Sequence, residues 1–335
     1  MNRQRPRSIH EMVAVLDQVI DDAAIERSLA FSPAPDDIIV APYAKCGTTW
    51  LLQIMHGLRS GASMDFASIG DVAPWIELAE TFAIDLHAPQ PARPRLFKSH
   101  VPFDAVPQGC RYVCAFREPG AALLSFYRFY EGWLFEPGSI PLEPFASWRW
   151  PTEQLHRKGY WHHLASWWAQ RHNPNVLLLC YEDMLARPRA NVERIARFMG
   201  IEPDETLLET VLHRSSRAFM LQHRERFKEH RLIRLLSERA GLPAPIDASM
   251  VGAHSTRAQA SLPPALRAWL DAVWAEHLPP HVGCKDYDAL RAALGAVDAR
   301  SIPSNRIQAP DDARRVRKYR FPTTAENSTA AMTKA

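Results

Sequence analysis

The sequence has no apolar run approaching the roughly 20 residues of a membrane span. Three arginines stand near its start, Arg3, Arg5 and Arg7, but no apolar core of seven or more residues follows them. They do not read as a secretory leader. Cysteine is sparse: the five, at 46, 110, 114, 180 and 284, form no metal-like pattern. Cys110 and Cys114 are four apart, and no second pair or nearby histidine completes a zinc site. An odd cysteine count without a leader favours reduced thiols and a cytoplasmic setting. A net charge of +3 is too small to argue for nucleic acid. No internal repeat is evident, and the Walker form Gly-x4-Gly-Lys-Ser/Thr is absent.

What remains is an ordinary globular composition, 47% hydrophobic and 23% charged over 335 residues. That length can bury one large α/β core or two smaller ones. Residues 1 to 8 read as disordered. From Ile9, the positions Met12, Val13, Leu16, Val19 and Ile20 recur at helical spacing. Ser8 is the expected N-cap, with Glu11 closing a capping box. Ser32-Pro-Ala-Pro-Asp36 then breaks the chain before a first strand. Further strands are expected at Arg95 to Lys98, Arg111 to Phe116 and Val176 to Cys180, with helical patterns between them. The alternation predicts a parallel sheet with right-handed crossovers. Pro119 sits where a helix's first turn should begin.

Aromatic residues crowd positions 126 to 168. Trp161, Leu164 and Trp168 fall on one helix face and read as core. Phe135 to Trp150, rich in proline and without clean periodicity, reads as a loop forming a wall or lid over an acceptor. Met220 to Arg239 reads as one basic helical run, ended by Gly241-Leu-Pro-Ala-Pro245. A last helix is expected from about Pro264 to His277. The basic cluster Arg314 to Arg320 reads as part of a solvated tail.

Residues 38 to 50 carry the most chemistry. The apolar run Ile38 to Ala41 leads into Lys45-Cys46-Gly47-Thr48-Thr49, and an amphipathic stretch from Trp50 to Leu58 follows. Strand, phosphate loop and helix in that order make an anion site, because helix-start N–H groups and a lysine both favour negative charge. The lysine precedes the glycine by two residues, so the loop does not look built for ATP. His100 lies just past an apolar strand, at the carboxyl edge where open α/β sheets bind ligands. Its ordinary pKa near 6.5 suits proton removal around neutral pH.

The loop resembles the Lys-x-Gly-Thr-Thr/Ser-Trp signature of the sulfotransferases, which use 3′-phosphoadenosine 5′-phosphosulfate (PAPS) as donor. Three further segments match in the family's order: Lys98-Ser-His100, Arg117-Glu-Pro119 with Ser125 eight residues after the arginine, and Tyr181-Glu-Asp-Met184. The resemblance covers roughly residues 36 to 280. It implies a P-loop-like three-layer α/β fold, with a central parallel sheet flanked by helices. It also implies a division into an extension with a helix (1–35), a sulfotransferase domain (36–296) and a tail (297–335).

By that resemblance, Lys98 orients the transferring sulfuryl group while Lys45 stabilises the bridging oxygen, and both join His100 as catalytic residues. Cys46 occupies a loop position where a small residue fits. Gly47 lets the backbone approach the phosphate closely. Thr48 and Thr49 donate hydrogen bonds, and Trp50 stacks near adenine. Arg117 offers a planar fork and, with Ser125, binds the 3′-phosphate. Tyr181 touches the nucleotide, with Glu182 and Asp183 bracing the structure. Ser216 and Phe219 flank the adenine. The late Arg-Lys-Gly of many relatives is missing; Arg257, within Gly252-Ala-His-Ser-Thr-Arg257, is the nearest substitute. No metal is implied.

The expected partner is a small, partly apolar acceptor bearing a hydroxyl or an amine. No membrane span and no nucleic acid are expected; a homodimer is left open. Two rival readings are a 3′-phosphoadenosine-binding protein that has lost turnover and a kinase-like enzyme. The kinase is disfavoured by the missing Walker loop and the lack of a magnesium-binding carboxylate after a strand.

Overall fold

The computed structural model describes residues 4–149, 159–246 and 262–300. Helices α1 (Ile9–Val19) and α2 (Asp22–Leu29) precede strand β1 (Ile38–Val40). Helices α3 (Thr48–Arg59) and α4 (Ile69–Val72) and a 3-10 turn (Ile76–Leu78) lead to β2 (Leu96–Lys98) and β3 (Arg111–Phe116). Next come α5 (Pro119–Trp133), α6 (Leu142–Arg149), α7 (Tyr160–Trp168) and β4 (Val176–Cys180). The chain then runs through α8 (Tyr181–Ala186), α9 (Pro188–Met199), α10 (Glu205–Arg214), α11 (Arg217–Gln222) and α12 (His230–Ala240). It closes with α13 (Pro264–His277), α14 (Pro279–Val282) and α15 (Tyr287–Arg300).

The four strands form one parallel sheet in the order β2-β1-β3-β4. Both faces are covered, so each strand is apolar on both sides. Ile39, Phe97, Tyr112, Cys114, Phe116 and Leu178 face one core, packed with α1, α5, α7, α12 and α13. Ile38, Val40, Leu96, Val113, Ala115 and Leu177 face the other, under α3, α9 and α10. This alternation is the period-two geometry of a strand, and it makes three layers as expected. Because every strand is parallel, all four carboxyl ends lie along one edge. They deliver the 41–47 loop, Ser99-His100, Arg117-Glu118 and Tyr181 to that edge.

Five expectations need correction. The helix at Pro264–His277 is not the last, because α14 and α15 follow it, and α15 runs past the expected domain end at 296. Residues 4 to 8 are engaged with the fold: the buried Arg5 guanidinium donates to the Ala244 carbonyl at 2.6 Å, and the Pro6 carbonyl accepts from the Glu136 N–H. Ser8 caps α1, but Glu11 accepts from the Arg7 N–H and not from Ser8, so the box is shifted by one residue. The run from Met220 to Arg239 is not continuous: a 3-10 turn over Arg224–Phe227 separates α11 from α12. Finally, Phe135 and Phe145 have no exposed surface and pack on Phe126, Tyr127 and Tyr130. The described part of the aromatic stretch is therefore core packing and a short helix, α6, and not a lid. Trp150 lies outside the described residues, as do Arg257 and the 314–320 cluster.

Candidate active site

The 41–47 loop turns sharply because two residues adopt left-handed backbone, Lys45 at φ 69° and Gly47 at φ 98°. Gly47 caps α3 without a side chain, so the first N–H groups of that helix keep their anion-attracting character. Glycine is required there twice over. A Cβ would be strained at that φ, and it would lie 2.9 Å from Cδ2 of Tyr181. Tyr181, just past the end of β4, is the hub of this cluster. The Arg117 guanidinium sits 4.4 Å from its ring centroid, and Trp50 meets it edge-on at 5.5 Å. Arg117 also donates to the Lys45 carbonyl at 2.7 Å, tying the end of β3 to the loop.

Two polar atoms here are buried without a protein partner: the Thr48 hydroxyl and Nε of Arg117. A buried donor left unpaired costs about 1–3 kcal/mol, so their placement beside a helix start suits an anionic ligand. Lys45 extends over the Phe129 ring, 4.3 Å from its centroid. Phe129 in turn stacks on Trp133 of α5 at 5.1 Å and 18°.

A second cluster stands at the end of β2. Lys98 is 3% exposed; its ammonium pairs with Glu229 and lies 3.8 Å from the Trp75 ring centroid. Trp75 meets the His100 ring edge-on at 5.1 Å. Nδ1 of His100 is 2.8 Å from the Pro42 carbonyl oxygen. A carbonyl can only accept, so Nδ1 carries the hydrogen, and in the neutral ring the lone pair falls on Nε2. Pro42 belongs to the 41–47 loop, so this bond joins the two clusters. The His100 backbone N–H donates to Oε1 of Glu77 at 2.6 Å.

The structure thus gathers Lys45, Gly47, Trp50, Arg117 and Tyr181 on one side and Lys98 and His100 on the other. Thr48 and Thr49 open α3, and Ser125 is half-buried on α5. Ser216 caps α11 by accepting from the Phe219 N–H, and Phe219 packs on His213 and His223. That turn lies along α3 through a bond from the Gln53 amide to the Arg214 carbonyl.

Cys46 is a correction. Its side chain is fully buried in the core away from the loop's polar face, and burial pushes the thiol up to about 12 despite Arg117 and Lys45 nearby. Only its backbone can serve the site. Glu182 does brace, accepting from the Glu118 N–H and the Tyr287 hydroxyl. Asp183 pairs with Arg291. Sequence reasoning missed Trp75, Glu77 and Glu229. Pro74-Trp75-Ile-Glu77 follows no spacing rule, and Glu229 lies 131 residues from its partner. Among the described residues no cluster could hold a metal ion, and no helix is long and apolar enough to cross a membrane.

The 41–47 loop is thus joined, at the edge of a parallel sheet, to a lysine and a histidine. The sulfotransferase domain model matches residues 35–234, and the chain belongs to that family. It is 30% identical over 200 residues to Sulfotransferase 1B1 of Canis lupus familiaris, covering 56% of this chain and 66% of that one. It is 28% identical over 202 residues to Sulfotransferase 1E1 of Homo sapiens, covering 56% and 67%. The chain thus spans about two thirds of the length of these relatives. Among solved structures, retinol dehydratase bound to retinol and PAP superimposes with a TM-score of 0.55 at 15% identity, covering 74% of this chain and 88% of that one. The complex with androsterone and PAP gives 0.51 at 19%, covering 60% and 74%. These two neighbours share the fold.

Proposed function

We propose that the chain transfers a sulfuryl group from PAPS to a hydroxyl, or an amine, of a small, partly apolar acceptor. One observation carries this reading. The Thr48 hydroxyl and Arg117 Nε are buried and unpartnered at a left-handed glycine loop, and that loop is bonded through Pro42 to His100. The donor fits there because it brings phosphate oxygens to those groups. When bound, it supplies the activated sulfuryl group and a phosphate leaving group.

The chain supplies position and charge, which dominate transfers of this kind. Helix α3 and Thr48 hold the 5′ side, with Lys45 facing the bridging oxygen. Arg117 and Ser125 take the 3′-phosphate, and Tyr181 and Trp50 provide faces for the nucleotide. Ser216 and Phe219 flank the adenine, and Arg257 stands in for the missing late basic loop. His100 accepts the acceptor's proton at Nε2, and Lys98 steers the sulfuryl oxygens. Phe129, Trp133 and Trp75 support an apolar acceptor. Retinol and androsterone, bound with PAP in the structural neighbours, are in keeping with that. The basic side chains carry the positive charge, so we assign no metal. A cytoplasmic enzyme with its sulfotransferase domain running from 36 to the end of α15 is part of the same proposal.

The test has two arms. Calorimetric titration should rank adenosine 3′,5′-bisphosphate well above AMP and ATP. Labelled PAPS should then pass its sulfuryl group to phenols, sterols or lipid alcohols in preference to heparan-like polymers. Preference for ATP, or for the polymers, would overturn the reading.

A further inference from the structure

We infer that Glu77 is the positioning residue of His100, holding the imidazole in place by accepting a hydrogen bond from the His100 backbone N–H. The inference rests on the reading of His100 as the base.

The geometry is specific. Strand β2 ends at Lys98, and the last sheet bond in this line is the Ser99 N–H to the Val40 carbonyl. The next donor, the His100 N–H, has passed beyond the sheet. Backbone donors in such places must find another partner. Oε1 of Glu77 takes that role at 2.6 Å from a side chain only 6% exposed. Glu77 is delivered there by its own short turn, Ile76–Leu78, which is docked to the same strand. The Lys98 N–H donates to the Pro74 carbonyl at 2.8 Å, and Trp75 bridges to Lys98 in parallel. One turn therefore supplies the carboxylate that holds the His100 main chain and the indole that contacts both the His100 ring and the Lys98 ammonium. With Pro42 on Nδ1, the imidazole is fixed by its main chain, by its ring nitrogen and by its edge.

A carboxyl group is a costly choice for such a place. Burial raises the Glu77 pKa, opposed by the hydrogen bond from the His100 N–H, while Oε2 is buried without a hydrogen-bond partner. An apolar side chain would fill the same volume without that cost, but it could not accept from His100. The role needs an acceptor oxygen and not a charge, which separates it from a role in balancing Lys98.

The experiment compares Glu77→Gln and Glu77→Ala in the full chain, using 15N-histidine labelling. The His100 signal is identified by its loss in His100→Gln. Gln keeps an acceptor oxygen, so Glu77→Gln should keep the Nδ1–H tautomer and a kcat within about fivefold of wild type. Glu77→Ala should show mixed tautomers and a kcat lower by about 10–100-fold, with affinity for adenosine 3′,5′-bisphosphate unchanged within about twofold. The inference is overturned if Glu77→Ala keeps the wild-type tautomer and rate. It is equally overturned if a folded Glu77→Gln loses the tautomer, or if kcat and nucleotide affinity fall together. Should Glu77→Ala fail to fold, the tautomer in Glu77→Gln decides alone. The tautomer needs no donor and no turnover. A wild-type protein that transfers no sulfuryl group would therefore sink the proposed function and still leave this inference to be decided.

Discussion

The ammonium of Lys98 is paired with the carboxylate of Glu229, joining the end of β2 to the start of α12 across 131 residues. The lysine is buried and the glutamate side chain is 13% exposed. Removing one partner of such a pair leaves an uncompensated charge, at a cost of about 3–5 kcal/mol when burial is complete and less here. Glu229→Gln should therefore lower the melting temperature of the ligand-free protein. The freed ammonium should then gain more from a sulfuryl anion. The extra thermal stabilisation by PAPS over adenosine 3′,5′-bisphosphate should be larger in the variant than in wild type. Equal increments in the two proteins would show that Lys98 does not face the sulfuryl group.

His100→Ala should remove transfer while leaving nucleotide affinity nearly unchanged. The ring contacts Pro42 and Trp75, and loss of a positioned base costs about 10²–10⁴ in rate. Single-turnover kinetics with bound donor isolate the chemical step. A variant that keeps more than half of the wild-type rate would take His100 out of the mechanism.

Arg117→Ala should weaken adenosine 3′,5′-bisphosphate far more than AMP. A charge-assisted bond to the 3′-phosphate is worth roughly 1.5–3 kcal/mol. Part of the loss will be shared by both nucleotides, because Arg117 also holds the Lys45 carbonyl and packs on Tyr181. Calorimetry with the two ligands separates the shared part from the 3′-specific part. Identical losses would show that Arg117 only shapes the loop.

Gly47→Ala should be damaging for two separable reasons. Left-handed backbone costs a non-glycine residue about 1–2 kcal/mol, and the new Cβ would press on Tyr181 at 2.9 Å. Gly200→Ala is the control: its φ is 72°, yet a Cβ there meets nothing within 4 Å. Both variants should melt several degrees below wild type. Only Gly47→Ala should also lose nucleotide affinity.

The site was legible wherever it is local in the chain. Each of the four motifs stands at or just past the carboxyl end of a strand, and a parallel sheet brings all those ends to one edge. Strand patterns pointed to Lys45 and His100, and the family resemblance of their motifs pointed to Lys98, Arg117 and Tyr181. Their partners were not legible. Glu229 reaches Lys98 through tertiary packing of α12, and Glu77 reaches His100 through a three-residue turn that leaves no periodic signal. The aromatic stretch misled for a related reason. Composition shows that Phe135 and Phe145 are apolar, but only packing decides between a core and a ligand wall.

Cys46 is the case in which two local rules lost to burial. A neighbouring lysine and a helix start both favour a thiolate, and on that basis Cys46 would be the reactive thiol of the chain. Its side chain instead has no exposed surface, and desolvation outweighs Arg117 and Lys45 to raise the thiol to about 12. Alkylation of the folded protein at pH 8 should leave Cys46 unlabelled, with or without saturating nucleotide, and mass mapping checks this. The raised value also has a stability consequence with a definite sign. Above the ordinary thiol value of 9.0 the unfolded chain releases a proton that the folded chain keeps up to about 12. Stability should therefore fall as pH rises through that window, by up to about 1.4 kcal/mol per pH unit from this one group. Cys46→Ala should remove that share of the slope in denaturant titrations between pH 9 and 11. An unchanged slope, or nucleotide-sensitive labelling of Cys46, would mean that the thiol reaches solvent after all.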